Sequence, residues 1–172
     1  DTPLLREKLV AVPEWSVDAF LEAVRDRVPI FSELNGLVLR DTMLESDVHK
    51  FTDGETVLRR NDYTNSLYVV IEGAVCVHLD DEVPPKASVT LGQGAFFGEM
   101  GLISGRRRAA TVSAVGDVLL LEVPRRRMIA LRASVAAVRE SMGREAIARS
   151  IQAHLAPGLD RESIDDIAAT AT

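Results

Sequence analysis

The chain has 172 residues, 47% of them hydrophobic, and carries 20 Lys and Arg against 26 Asp and Glu, a net charge of −6. That size and apolar content predict one cored domain, or one plus part of another. The acidic balance excludes a broad basic face for nucleic acid or an anionic membrane and leaves room only for a local basic pocket.

Residues 1–29 form a helical lead-in. In SVDAFLEAVRDRV, Ser16 is placed as an N-cap and Val17, Phe20, Leu21, Val24 and Val28 follow at helical spacing until Pro29. SELNGLVLRDTMLES predicts a shorter helical piece, interrupted or started by Gly36. From about residue 48 to 123 the period changes to two. VHKF, TVLRR, SLYVVIEG, AVCVHLDD, ASVTLGQG, ATVSAVG and VLLLEV are short strand-like runs, separated by turn signals at Asp53-Gly54, Asn61-Asp62, Gly73, Pro84-Pro85, Gly92, Gly94 and Gly116-Asp117. Short strands at even spacing predict an α+β chain: an antiparallel β-barrel or jelly roll, with N- and C-terminal flanking helices. Gly98 to Ser104 suits a helical turn instead. From Pro124 to Leu155 the pattern is helical again, with Leu131, Val135, Val138, Met142, Ala146, Ile151 and Leu155 as its apolar stripe and Ser134 placed to restart the helix. The stripe can pack on the barrel, form a homodimer seam, or do both in different parts. Residues 157–172 are either a tail or the start of a following domain, with Leu159, Ile164, Ile167 and Ala168 on one side.

The single Cys76 excludes an intrachain disulfide and fits a reducing, cytoplasmic compartment; its place in GAVCVHL marks a buried structural thiol. No run reaches the roughly 20 apolar residues of a membrane span and no signal peptide is visible, so no membrane partner is expected. The start at Asp1 rather than Met suggests a piece of a longer chain.

The stretch FFGEMGLISGRRRAATV, residues 96–112, carries the chemistry. A short helix starting near Gly98 exposes unpaired N–H groups, which favour an anion. Arg108 can return to the same point and fork onto phosphate oxygens. Glu99 fits beside an anion if the ligand also carries a hydroxyl that the carboxylate can accept, with Arg108 offsetting its charge. Phosphate plus sugar hydroxyl describes a nucleotide. The alternative is an ordinary Glu99–Arg108 salt bridge in a barrel that serves as a structural or interaction domain and binds nothing. No P-loop and no dinucleotide fingerprint is present. His49, His78 and His154 are scattered without a metal-ligand cluster, and no catalytic triad stands out, so neither a metal, a cofactor nor an enzyme activity is expected.

GQGAFFGEMGLISGRRRAATVSA closely resembles the phosphate-binding cassette of the cyclic nucleotide-binding domain, a family that includes the regulatory subunit of the cyclic-AMP-dependent kinase and the catabolite activator proteins. The family pattern F-G-E-(apolar)-(A or G)-L, then R-(small)-A-T-V, is met by Phe97 to Leu102 and by Arg108 to Val112. FTDGETVLRRNDYTNSLYVVIEGAVCVHL extends the likeness, with Gly54 and Gly73 at the family's turn glycines. It covers about residues 30–155, so residues 30–156 are the expected domain. The resemblance implies that Glu99 accepts the ribose 2′-hydroxyl and Arg108 pairs with the cyclic phosphate. The amides of Gly98 and of Ala109 or Ala110 complete the cradle, and Met100 lies within it. The family's Pro before the phosphate Arg is Arg107 here, and its Asp two residues before the cassette Phe is Ala95; Arg106 and Arg107 read as solvated bystanders. Ala109 lacks the Thr hydroxyl found in members that favour cyclic GMP, which implies cyclic AMP. The resemblance also implies a residue of the last helix over the base. No aromatic lies between Pro124 and Thr172, which leaves the aliphatic candidates Ile147, Ile151 and Leu155. After Leu155 the remaining stretch is too short and acidic for a DNA-reading helix-turn-helix. The expected role is a regulatory module that passes a shift of its C-terminal helices to an attached effector or partner, a second cyclic nucleotide-binding domain being one candidate.

Overall fold

The computed structural model describes residues 2–63, 65–154 and 161–170. Three N-terminal helices lead in: α1 (Thr2–Lys8), α2 (Val17–Arg27) and α3 (Gly36–Glu45), with a 3-10 turn at Pro29–Phe31. Ser16 caps α2, its side chain accepting from the Ala19 amide at 3.1 Å, and Val17, Phe20 and Val24 are buried. Gly36 starts α3 rather than interrupting it, because the Asn35 side chain accepts from the Val38 amide at 3.0 Å.

Six strands follow: β1 (Asp47–Phe51), β2 (Thr56–Leu58), β3 (Ser66–His78), β4 (Ser88–Leu91), β5 (Phe96–Phe97) and β6 (Thr111–Pro124). All pairings are antiparallel, in the order β1-β6-β3-β4, with β2 also on β6 and β5 also on β3. This is the expected antiparallel roll with flanking helices, but the sheet does not close: no pairing joins β1 to β4 among the described residues. Two of the turn signals do other work. Gly73 and Gly116 lie inside β3 and β6, so four expected strands are two long ones. The β3–β6 register slips on both sides of Glu72, next to Gly73 at φ 84°. A Cβ there would stand 2.4 Å from the Asp117 carbonyl oxygen, so only glycine lets the bulge close. Cys76 is only half-buried on β3.

The long strands serve two cores. Val69, Ile71, Leu119 and Leu121 face the helices, packing with Phe20, Phe31, Leu39 and Met43. Val70, Val75, Val118 and Leu120 face the inside of the roll with Leu58, Phe97 and Val112. The alternation follows from the two-residue period of a strand covered on both sides. Between β3 and β4 the chain makes an exposed loop, held at its neck by Asp80, whose carboxylate accepts from the amides of Glu82, Lys86 and Ala87 at 3.0, 3.2 and 2.8 Å. Burial pushes the Asp80 carboxyl up, but the three amide bonds together with the Lys86 charge outweigh it and hold the carboxyl below the usual range.

Past the short cassette helix α4 (Glu99–Ser104) and β6 come α5 (Arg125–Ser134), α6 (Ala136–His154) and α7 (Arg161–Thr170). Ser134 does not cap α6: its hydroxyl donates back to the Ala130 carbonyl at 2.8 Å, and the chain breaks at extended Val135. Leu131, Val138 and Met142 pack into the helix-facing core. Ile164 of α7 is fully buried on Ala148 and Ile147 of α6, while Ile167 is exposed.

Candidate functional site

The turn after β5 reverses the chain at Gly98, which has φ 91° and serves as the N-cap of α4. A Cβ on Gly98 would lie 2.3 Å from Arg108 Nη1, so the glycine makes room for the guanidinium. Arg108 is fixed by its backbone as well: its amide donates to the Asp62 carbonyl and its carbonyl accepts from the Asn61 amide, both at 2.9 Å. Its side chain is 5% exposed, donating from Nη2 to the Ser66 carbonyl at 2.8 Å and from Nη1 to the Gly98 carbonyl at 3.3 Å. The guanidinium stands 5.7 Å from the Tyr68 ring, which is itself stacked on Phe97. No carboxylate lies within ion-pair distance of Arg108 among the described residues, and its Nε is buried without a partner. Burial works against its charge, partly offset by Tyr68, Glu122, Asp62 and Glu99.

Glu99 is fully buried. Its counter-ion is not Arg108, as the sequence led us to expect, but Arg149 of α6, whose Nη1 donates to Oε2 at 2.5 Å. Arg149 also donates to the Phe96 carbonyl at 2.5 Å and to Glu145, one helical turn earlier, at 2.8 Å. Burial pushes the Glu99 carboxyl up and the Arg149 charge opposes that shift. The second oxygen, Oε1, is buried and has no partner among the described residues.

Gly98, Glu99, Met100, Arg108, Ala109 and Ala110 line one cavity of about 190 Å³, together with apolar Leu58, Val77, Leu91, Phe97 and Val112, and with Arg149. All six cassette residues thus meet in one cavity. Of the base-cap candidates, Ile147 does not line the cavity and packs on Ala148 and Ile164 instead; Ile151 and Leu155 lie outside the residues whose side chains are described. Arg107 is more than a solvated bystander. It stacks 4.0 Å over the Tyr63 ring and donates to the Tyr63 hydroxyl and the Asn61 carbonyl, both at 2.9 Å, clasping the cassette to the neighbouring turn. Sequence reasoning missed Arg149. Its spacing from Glu145 is legible as a helix pair, but its reach to Glu99, 50 positions away, is not.

The family model of the cyclic nucleotide-binding domain matches residues 48–135, which span β1 to the break after α5. The chain belongs to the cyclic nucleotide-binding domain family. The cyclic nucleotide-gated channel alpha-4 of Mus musculus is 32% identical over 150 residues, 82% of this chain and 25% of the channel. The cAMP-dependent protein kinase type II regulatory subunit of Drosophila melanogaster is 30% identical over 103 residues, 58% of this chain and 26% of the subunit. The chain thus spans about a quarter of the length of these relatives. Among solved structures, the regulatory domain of Toxoplasma gondii PKA with cAMP superposes with a TM-score of 0.57 at 25% identity, covering 87% of this chain and 56% of that one. No described helix is long and apolar enough to cross a membrane, and no group of metal-ligating side chains occurs among the described residues.

Proposed function

We propose that the chain is a ligand-sensing regulatory module that binds a cyclic nucleotide, cyclic AMP in preference to cyclic GMP, and passes the event through α6 to an attached domain or partner. One observation carries the reading: a buried guanidinium, Arg108, faces a cavity with carbonyl partners but no counter-ion among the described residues. A buried charge left in that condition is costly, and a phosphate oxygen pair removes the cost with two charge-assisted hydrogen bonds. Glu99 Oε1, buried in the same cavity lining and without a partner among the described residues, fits a ribose hydroxyl as donor. The apolar walls fit a purine. The absence of a hydroxyl at Ala109 supports cyclic AMP by roughly one hydrogen bond, about 0.5–1.5 kcal/mol.

Arg149 supplies the route outward. A ribose hydroxyl on Oε1 draws on the same carboxylate that Arg149 holds through Oε2, so ligand and α6 share one group. A ligand shifts α6 only as far as it favours one arrangement of that pair over the other.

The test is calorimetry with both nucleotides on the wild type, Arg108→Ala and Arg106→Ala. Arg108→Ala removes most of the binding, roughly 10- to 150-fold, and Arg106→Ala very little. Equal losses from the two, or no heat from the wild type at millimolar nucleotide, reject the assignment. Hydrogen exchange across residues 136–150 with and without cyclic AMP reads the outward step; protection confined to residues 98–112 leaves binding without transmission.

A further inference from the structure

A second polar group backs Arg108. Ser66, buried at the start of β3, turns both its carbonyl and its hydroxyl oxygen to Arg108 Nη2, at 2.8 and 3.4 Å. The Ser66 hydroxyl has one proton, and it goes to Glu122 Oε1 at 2.6 Å, because an ionised carboxylate only accepts. The other Glu122 oxygen, Oε2, lies 2.7 Å from His49 Nε2. The register explains the meeting. β6 is flanked by β1 and β3, so Glu122 sits between Asp47 on one side and Tyr68 on the other. A continuous line of contacts therefore runs from a partly exposed imidazole through Glu122 and Ser66 to the buried guanidinium.

We propose that His49, Glu122 and Ser66 form a positioning relay for Arg108, which makes nucleotide affinity follow the protonation of His49. The inference rests on the binding reading above. With His49 protonated, the imidazolium neutralises Glu122 and leaves the charge of Arg108 to the phosphate. With His49 neutral, the Glu122 charge is uncompensated; it competes for Arg108 and repels the anion.

The surroundings allow this. His49 faces Glu122 from β6, and Asp47 and Phe51 from its own strand; Asp47 in turn pairs with Lys8 of α1 at 2.9 Å. Arg108 feels Tyr68, Glu122, Asp62 and Glu99. The hydrogen bond to Glu122 raises His49 above its ordinary 6.5, against a smaller opposing effect of burial. The bonds from His49, Ser66 and Tyr68 hold Glu122 down at about 2, so it stays ionised throughout, and burial pushes the Tyr68 phenol up to about 12, so it stays neutral.

The experiment measures cyclic AMP affinity from pH 6 to pH 8.5 for the wild type, His49→Gln and Ser66→Ala. The wild type should weaken by about three- to fivefold as pH rises, as expected for one screened charge at the far end of the relay. His49→Gln, which keeps a donor for Glu122 but no titration, should be flat near the high-pH value. Ser66→Ala should lose most of the step. A step that survives in His49→Gln, or a flat wild type that binds, overturns the relay. A ligand-free arm follows the His49 imidazole by NMR in the wild type and Arg108→Gln. Loss of the Arg108 charge should raise the His49 midpoint by several tenths of a unit, and an unchanged midpoint overturns the relay on its own. If the wild type binds no nucleotide at any pH, the binding assignment fails and this arm still judges the relay.

Discussion

Replacing Arg149 by Gln isolates the electrostatic link between α6 and the cassette. The substitution leaves Glu99, with no exposure, beside a neutral amide. A buried carboxylate without its partner takes up a proton rather than remain charged, so the cost of protonation caps the penalty. From the ordinary value of 4.5 for this carboxyl, protonation at pH 7 costs about 2.5 × 1.36, or ~3.4 kcal/mol. The sign follows from linkage. In the variant the folded-state pKa lies far above the unfolded one, so the destabilisation grows as pH rises above 4.5 and fades as pH falls toward it, by about 1.4 kcal/mol per unit. Urea unfolding of both proteins at pH 7.5, 6 and 5 gives the three differences. They should shrink steadily, and Glu99→Gln in the same chain should recover most of the loss. A difference that does not change with pH would refute the reasoning. It would mean that Arg149 acts by its packing 5.7 Å from the Phe96 ring, or that Glu99 is already protonated in the wild type.

Gly98→Ala should cost about 1–3 kcal/mol in urea unfolding and displace Arg108, because the new methyl meets Nη1 at 2.3 Å in a left-handed conformation; wild-type stability and affinity would contradict this. Ile164→Ala should cost about 2–4 kcal/mol of local stability, read as faster amide exchange over residues 161–170, since Ile164 is the fully buried anchor of α7. Glu99→Ala should weaken cyclic AMP and largely erase discrimination against its 2′-deoxy analogue; full retention of that discrimination would put the ribose elsewhere. Glu122 is held at about 2, below its ordinary 4.5, so its contribution is complete above pH 4.5 and lost as pH falls toward 2. Acid unfolding of Glu122→Gln should accordingly show a shallower decline than the wild type over that range.

Strands and helices were legible where one period ran long enough: α2 with its Ser16 cap, the alternation of β3 and β6, and the cassette turn at Gly98. The misreadings share a cause. Gly73 and Gly116 are turn-type residues, and a positive φ serves a bulge inside a strand as well as a turn between strands; only the neighbour across the sheet decides which. β5 has two residues, too few to show a period. Within the site, the residues contributed by one continuous stretch were visible together. Arg149, Ser66 and Glu122 were not, because each reaches the site by tertiary packing and looks like an ordinary helix or strand residue in its own neighbourhood. Ile147 sits on the helix expected to cap the base but is turned toward α7, a rotation that the stripe could not reveal.

The knot of amide bonds around Asp80 makes the β3–β4 hairpin separable from its own tip. The carboxylate gathers two amides from the far side of the loop, Lys86 and Ala87, and one from its own side, Glu82, and the Ala87 carbonyl accepts from the Leu79 amide at 3.0 Å, so the strands are aligned outside the tip at Val83, which is 97% exposed. Cargo inserted at Val83, a fluorescent protein for instance, therefore hangs outside the knot and puts no tension on β3 or β4, whose Val77 and Leu91 line the cavity. The same hairpin offers an engineer a port beside the cavity, at a tip that lies beyond the lining residues Val77 and Leu91. Asp80→Ala unties the knot, and in that background the same insertion should slip the hairpin.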